Sequence, residues 1–216
     1  WSPDSKHVAF YQTEPEERHP LNIVLTTPKD QFQPRLTTQQ YLKPGDKVAK
    51  PRLRMLDPES GKLTAVDEAL YSNPFDVDGE IWLSNDQFAF RYNQRGHQVM
   101  RLVGVDAKTG VAKTLIDEVA KTFVDWTNKA YYQIQPDKKH AIWMSERSGW
   151  CQLYYYDLES GESKPITKGN WVVRSVTQVD QDKKQIWFMA SGLDANQDPY
   201  NQHFCRVNFD GTGFTR

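Results

Sequence analysis

Cysteine is scarce in this sequence, with only Cys151 and Cys205 among 216 residues. That scarcity excludes a disulfide scaffold. The two fall about one internal repeat apart, on corresponding strands of neighbouring units, and no bridge between them is expected. No Asn-x-Ser/Thr acceptor occurs, so nothing marks a glycosylated ectodomain. No apolar run approaches the roughly 20 residues that span a bilayer, so no membrane span is expected. A surplus charge is missing too. The 27 basic and 28 acidic residues leave no electrostatic footprint for nucleic acid or an anionic membrane. His19, His97 and His203 have no Cys, Asp or Glu partner at metal-ligand spacing, so neither a metal site nor a cofactor is expected. The sparse run Asp194, Asn196 and Asp198 falls short of a calcium loop.

Aromatic residues are plentiful: seven Trp, ten Tyr and ten Phe suit strands that fill space between stacked sheets. A short pattern also recurs four times. Each copy has an Asp turn, an apolar strand, a second strand ending in Asp or Asn, and a Gly turn. The Asp turns carry Asp4, Asp86, Asp137 and Asp182, which are expected to cap them through Asx hydrogen bonds. The closing Gly61, Gly110, Gly161 and Gly213 are 49, 51 and 52 residues apart. A period near 50, built of strand and turn, predicts β-propeller blades of four antiparallel strands. The expected architecture is all-β: about four blades of a partial propeller filling 1–216, with segments near 1–67, 75–117, 130–168 and 171–216. Both termini are expected to cut through a blade, leaving the first and last incomplete and the chain part of a larger propeller. Strands such as Ala141-Ile142-Trp143-Met144 are apolar on both faces, as expected for sheets covered on both sides. Residues 28–51 read as a long Pro-, Lys- and Gln-rich insertion. Residues 117–122 are the one candidate for a helical turn.

Ser145-Glu146-Arg147-Ser148-Gly149-Trp150, followed by Leu153-Tyr154 and Ile166-Thr167-Lys168-Gly169-Asn170-Trp171, resembles the propeller of the dipeptidyl peptidase IV family, in the prolyl oligopeptidase clan. Trp1-Ser2-Pro3-Asp4-Ser5 is similar to the segment just after that family's Glu-Glu motif. Tyr41-Leu42-Lys43-Pro44-Gly45 is similar to its Tyr-Pro-Lys-x-Gly insertion, and Asn93-Gln94-Arg95 to a strand end of its Asn-Arg type. These segments run nearly the length of the chain in the family's order. The resemblance implies removal of N-terminal dipeptides, mostly Xaa-Pro or Xaa-Ala, by a Ser-Asp-His triad. That triad lies in a C-terminal α/β-hydrolase domain outside this chain. It also implies peptide substrates, the remaining blades as partners, a periplasmic or secreted setting and a possible homodimer.

No catalytic residue is assigned here. The nearest string to a Gly-x-Ser-x-Gly elbow, Gly161-Glu162-Ser163-Lys164-Pro165, lacks the second Gly. The family's paired Glu, which holds a substrate ammonium, would precede residue 1. Glu16-Glu17 reads instead as a solvated charged turn. The resemblance points to Glu146, Arg147 and Trp150 as candidate peptide contacts. The competing reading makes them a tight connection between strands, with Gly149 as the turn and Trp150 its cover. Trp126, within Phe123–Thr127, matches a family stretch that shapes the substrate pocket and is the fourth candidate. The rival class for the whole chain is a non-enzymatic propeller that binds a protein or glycan.

Overall fold

The computed structural model describes all residues, Trp1–Arg216. It contains strands and turns and no helix. β1 (Val8–Glu14) leads into β2 (His19–Leu25), β3 (Arg35–Tyr41), β4 (Lys50–Leu56) and β5 (Leu63–Ala65). β2 and β3 form an antiparallel hairpin, while β1, β4 and β5 share a three-stranded sheet. Next come β6 (Pro74–Trp82), β7 (Gln87–Gln94), β8 (Val99–Asp106) and β9 (Ala112–Val119), a four-stranded meander. A second meander holds β10 (Tyr132–Ile134), β11 (His140–Ser145), β12 (Gln152–Asp157) and β13 (Ser163–Pro165). β14 (Val172–Asp180), β15 (Gln185–Ser191) and β16 (Gln202–Asn208) make the last, three-stranded sheet. These sheets are blades of a partial β-propeller. Phe10–Leu53 forms one compact unit, and Trp1–Ala9 with Arg54–Arg216 forms another.

Within the larger unit the period-2 geometry of a strand explains the core. On β11, Ala141 and Trp143 point one way, into a cluster with Ala89, Met100, Leu102 and Ile116 of the β6–β9 blade. Ile142 and Met144 point the other way, into a cluster with Ile186, Phe188, Ala190 and Val207 of the β14–β16 blade. β12 divides alike, with Tyr154 and Tyr156 on the first side and Leu153 on the second. One sheet thus belongs to two cores, so its strands carry apolar residues at consecutive positions. Cys151 and Cys205 are free thiols, both buried in the second cluster.

The turns repeat as the sheets do. Asp57, Asp106 and Asp157 each accept the amide two residues on, at 2.9, 3.0 and 2.9 Å, and the next amide as well. Gly61, Gly110 and Gly161 close these turns at φ of 69°, 73° and 74°, a left-handed conformation that favours glycine. Among the opening turns, Asp4 accepts from the Lys6 amide (3.2 Å) and Asp137 from the Lys139 amide (2.9 Å), as expected.

Several expectations are corrected. Asp86 does not cap its turn. The Ser84 hydroxyl takes the Asp86 amide at 3.3 Å, leaving the Asp86 carboxylate to Lys108 at 2.8 Å. In the last opening turn Asp180 replaces Asp182 as the cap, accepting the Lys183 amide at 2.9 Å. The ladder continues to the pair Asp180↔Gln185, so the turn begins two residues early. The candidate helix at 117–122 is strand as far as Val119, because Arg101↔Asp117 and Val99↔Val119 extend the β8–β9 ladder. The insertion 28–51 is no plain loop. β3 lies inside it and pairs with β2 from His19↔Tyr41 to Leu25↔Arg35. Asp194 and Asp198 cap their own turns through the Asn196 and Tyr200 amides.

Candidate functional site

Antiparallel order sorts the connections of each blade between its two ends. The Asp and Gly turns gather at one end. The β7–β8, β9–β10 and β11–β12 connections gather at the other, and there a cleft of about 470 Å³ opens. Its walls include Glu118 and Phe123 from the end of β9 and the loop after it, Lys129 before β10, and Ser145, Glu146 and Arg147 at the end of β11.

A buried carboxylate organises the floor. Glu118 is only 8% exposed, an unusual burial for Glu unless it is paired. It accepts from the Trp143 indole (3.3 Å), the Ser145 hydroxyl (2.7 Å) and Arg147 Nη2 (2.9 Å). The Ser145 oxygen in turn accepts from Arg147 Nε (2.8 Å) and from the Arg147 amide (3.1 Å). The guanidinium stacks over Tyr154 at 4.5 Å and Tyr156 at 5.3 Å. Burial works against the Arg147 charge, but the Tyr156 hydroxyl and the Glu118 carboxylate outweigh it and raise its pKa above the ordinary value. Arg147 is therefore a fixed, permanent cation. Its backbone turn closes through Gly149 N–H to the Glu146 carbonyl at 2.9 Å.

Beside it lies a second charge pair. Lys129 Nζ sits 2.8 Å from Glu146 Oε1 and 3.8 Å from Asp125 Oδ2. The hydrogen bond to Glu146 leads in raising the Lys129 pKa, with burial opposing it. The cleft thus carries two ion pairs, Arg147 with Glu118 and Lys129 with Glu146, beside the apolar ring of Phe123, which is 52% exposed. Such a surface can hold an extended polar chain with an apolar side group.

The four candidate residues are not all in one place. Glu146 and Arg147 line the cleft together. Trp126 stacks on His97 at 5.4 Å and lies 5.0 Å from Phe75. Phe123 meets the same imidazole edge-on at 6.0 Å, so Trp126 supports the wall that Phe123 presents. Trp150 lines a separate recess of about 270 Å³ with Val172, Arg174 and Tyr200. The sequence reading missed Glu118 and Lys129. The one signal for Glu118 was a carboxylate two positions beyond Ile116, on the inward face of a strand whose last residues were expected to form a helical turn. Glu16 and Glu17 are exposed or half-buried, Glu16 lying 3.8 Å from Arg18.

The chain matches the family model described as the dipeptidyl peptidase IV N-terminal region over residues 1–216. It belongs to that family. Among curated relatives, dipeptidyl peptidase 4 of Arthroderma otae is 22% identical over 97% of this chain and 28% of its own length. Dipeptidyl peptidase 4 of Trichophyton rubrum is 23% identical with the same coverage. The chain therefore spans little more than a quarter of these relatives. Among solved structures, Porphyromonas gingivalis dipeptidyl peptidase 4 superposes with a TM-score of 0.68 at 21% identity, covering 100% of this chain and 29% of that one. A putative dipeptidyl aminopeptidase IV from Bacteroides ovatus gives 0.65 at 19%, covering 99% and 32%. Both show the same strand arrangement for this part of a dipeptidyl peptidase IV propeller.

Proposed function

We propose that this chain is the propeller section of a serine exopeptidase that removes N-terminal Xaa-Pro or Xaa-Ala dipeptides, and that it gates and shapes the peptide site without doing the chemistry. The observation that carries this reading is the cleft held open by Glu118. A guanidinium gripped by a buried carboxylate, a hydroxyl and two aromatic faces loses little freedom when it binds a chain, and preorganisation of that kind improves affinity. Glu146 and Arg147 are the proposed peptide contacts in the cleft, with Trp126 supporting its aromatic wall. Trp150 is a proposed contact in the neighbouring recess. The nucleophile, its base and the Glu pair for the substrate ammonium belong to other parts of the longer protein in this reading. Its partners are the α/β-hydrolase domain, the remaining blades and, in the assembled enzyme, a second copy.

The test uses the longer protein, with kinetics on a dipeptide reporter and on peptides extended beyond the scissile bond. Arg147→Ala and Glu146→Gln are expected to raise KM several-fold for extended peptides while kcat on the short reporter stays near its original value. Unchanged kinetics on both substrates in both variants would remove the cleft from the peptide path.

A further inference from the structure

Glu17 stands two residues before His19 in the sequence, and the fold adds a carboxylate from far along the chain. Glu17 and His19 stand at the entry to β2, and Asp46 comes from the turn before β4. One ligand atom from each lies within 4.8 Å of the other two. We propose that Glu17, His19 and Asp46 form a binding site for a divalent transition-metal ion of the zinc class.

Geometry gives the first argument. Zinc–ligand bonds of about 2.0–2.1 Å set neighbouring donor atoms of a tetrahedral site roughly 3.3 Å apart. His19 Nε2 and Glu17 Oε2 are 3.3 Å apart. The two edges to Asp46 are no longer than 4.8 Å, so each needs a movement of at most about 1.5 Å to meet that spacing. Asp46 is half-buried while Glu17 and His19 are exposed, so the latter two can turn toward it.

Backbone links hold the three positions together. The Glu17 amide donates to the Lys47 carbonyl at 2.9 Å, and the Asp46 amide to the Lys43 carbonyl at 3.0 Å. Asp46 Oδ2 accepts the Lys43 amide at 2.8 Å, which leaves Oδ1 for a ligand. The Lys47 amide reaches Glu17 Oε2 at the long distance of 3.5 Å. His19 is fixed in the hairpin ladder opposite Tyr41.

Charge balance gives the second argument. Three cations of the same unit pair with other carboxylates: Lys47 Nζ lies 2.8 Å from Glu14, Arg52 3.0 Å from the same carboxylate, and Arg18 3.8 Å from Glu16. Glu17 and Asp46 thus bring two carboxylates into one cluster, with the His19 imidazole as its third member. Two carboxylates at such a distance repel, and a divalent cation converts that repulsion into binding. One imidazole and two carboxylates make a borderline donor set that suits zinc-class ions. Calcium and magnesium favour sites of oxygen alone. Three protein donors leave a fourth position open to water or a further ligand.

The experiment titrates the chelator-treated chain with Zn2+ by calorimetry and with Co2+ by visible absorption. The expected result is one ion per chain and the intense bands of four-coordinate Co2+. His19→Ala and Asp46→Asn should each weaken binding by more than about tenfold, since losing even a residue that merely orients a ligand costs about 10–100-fold. His140→Ala, which removes a histidine 2.7 Å from Asp137 in the larger unit, should leave binding unchanged. Metal-free melting of the exposed-site variants checks that they fold. The proposal is overturned by absence of binding, by several weak equivalent ions, or by His19→Ala and Asp46→Asn binding as the parent does. This readout does not depend on the peptide-site reading, which stands or falls on its own kinetics.

Discussion

Arg147 Nη2 lies 2.9 Å from Glu118 Oε2, joining the β11–β12 connection of one blade to the last strand of the blade before it. The pair crosses between two sheets and closes the floor of the cleft, so one contact serves both packing and site geometry.

Glu118→Ala is expected to destabilise the chain by about 2–3 kcal/mol. It strands a half-buried guanidinium and leaves the Trp143 and Ser145 donors without an acceptor. Glu118→Gln keeps one acceptor oxygen and should fall between the two. Urea unfolding of the three proteins measures the series. Equal midpoints would show that the pair contributes nothing.

Gly110 and Gly161 hold the same turn position at nearly the same positive φ, yet they meet different surroundings. A methyl group at Gly161 would enter open space, and one at Gly110 would sit 2.2 Å from the Ala65 carbonyl oxygen. Gly161→Ala should cost about 1–2 kcal/mol for the left-handed backbone alone. Gly110→Ala should cost clearly more, because the neighbouring backbone must move. Thermal melts of both variants decide it, and equal losses would mean that the two turns are equally free.

Acid should loosen the turns. Hydrogen bonding, led by the Ser60 hydroxyl, holds the Asp57 carboxyl below its ordinary pKa, and the Thr109 amide does the same for Asp106. The Ser160 amide acts on Asp157, and the Thr212 hydroxyl on Asp210. A carboxyl whose pKa is lower folded than unfolded stabilises the fold fully above the unfolded value and loses that contribution as pH falls through the folded one. Stability contributed by these turns should therefore be flat near neutrality and decline below about pH 4. Asp106→Asn should flatten that decline in melts taken across the acid range. An identical acid slope in parent and variant would refute the assignment.

Burial pushes the Cys151 thiol up to about 12 and raises that of Cys205 as well. A thiol so seldom ionised and so poorly reached reacts slowly. Maleimide at neutral pH is expected to label neither cysteine in the folded chain and both in denaturant. Fast native labelling of Cys151 would show that the cluster around Leu153 and Val173 opens readily.

The blades were legible because their signals are local. An Asp turn, a Gly turn and alternating apolar positions are all contained within a few residues, and β11 and β12 carry two apolar faces in plain view. The β2–β3 hairpin was hidden for the opposite reason. Its strands are exposed almost throughout, so no burial alternation marks them, and prolines flank and interrupt the segment. Glu118 was hidden because its burial depends on Ser145 and Arg147 from another sheet. Asp46 reaches His19 only after the chain has turned through the hairpin. Arg147 and Glu146 could be picked out as a pair, but their separation from Trp150 follows from where the last blade places Tyr200.

The division of β11 between two cores has a consequence for chain length. Deleting one residue inside β11 would send Trp143 to the side fitted for Ile142 and Met144, and would invert every later position of the strand. Deleting two would restore each side chain to its own face. The segment between β2 and β3 is under no such parity, since neither strand has a buried face to lose. In the middle blades an odd change of length is thus a graver event than most substitutions, whereas the hairpin tip can grow or shrink by any number.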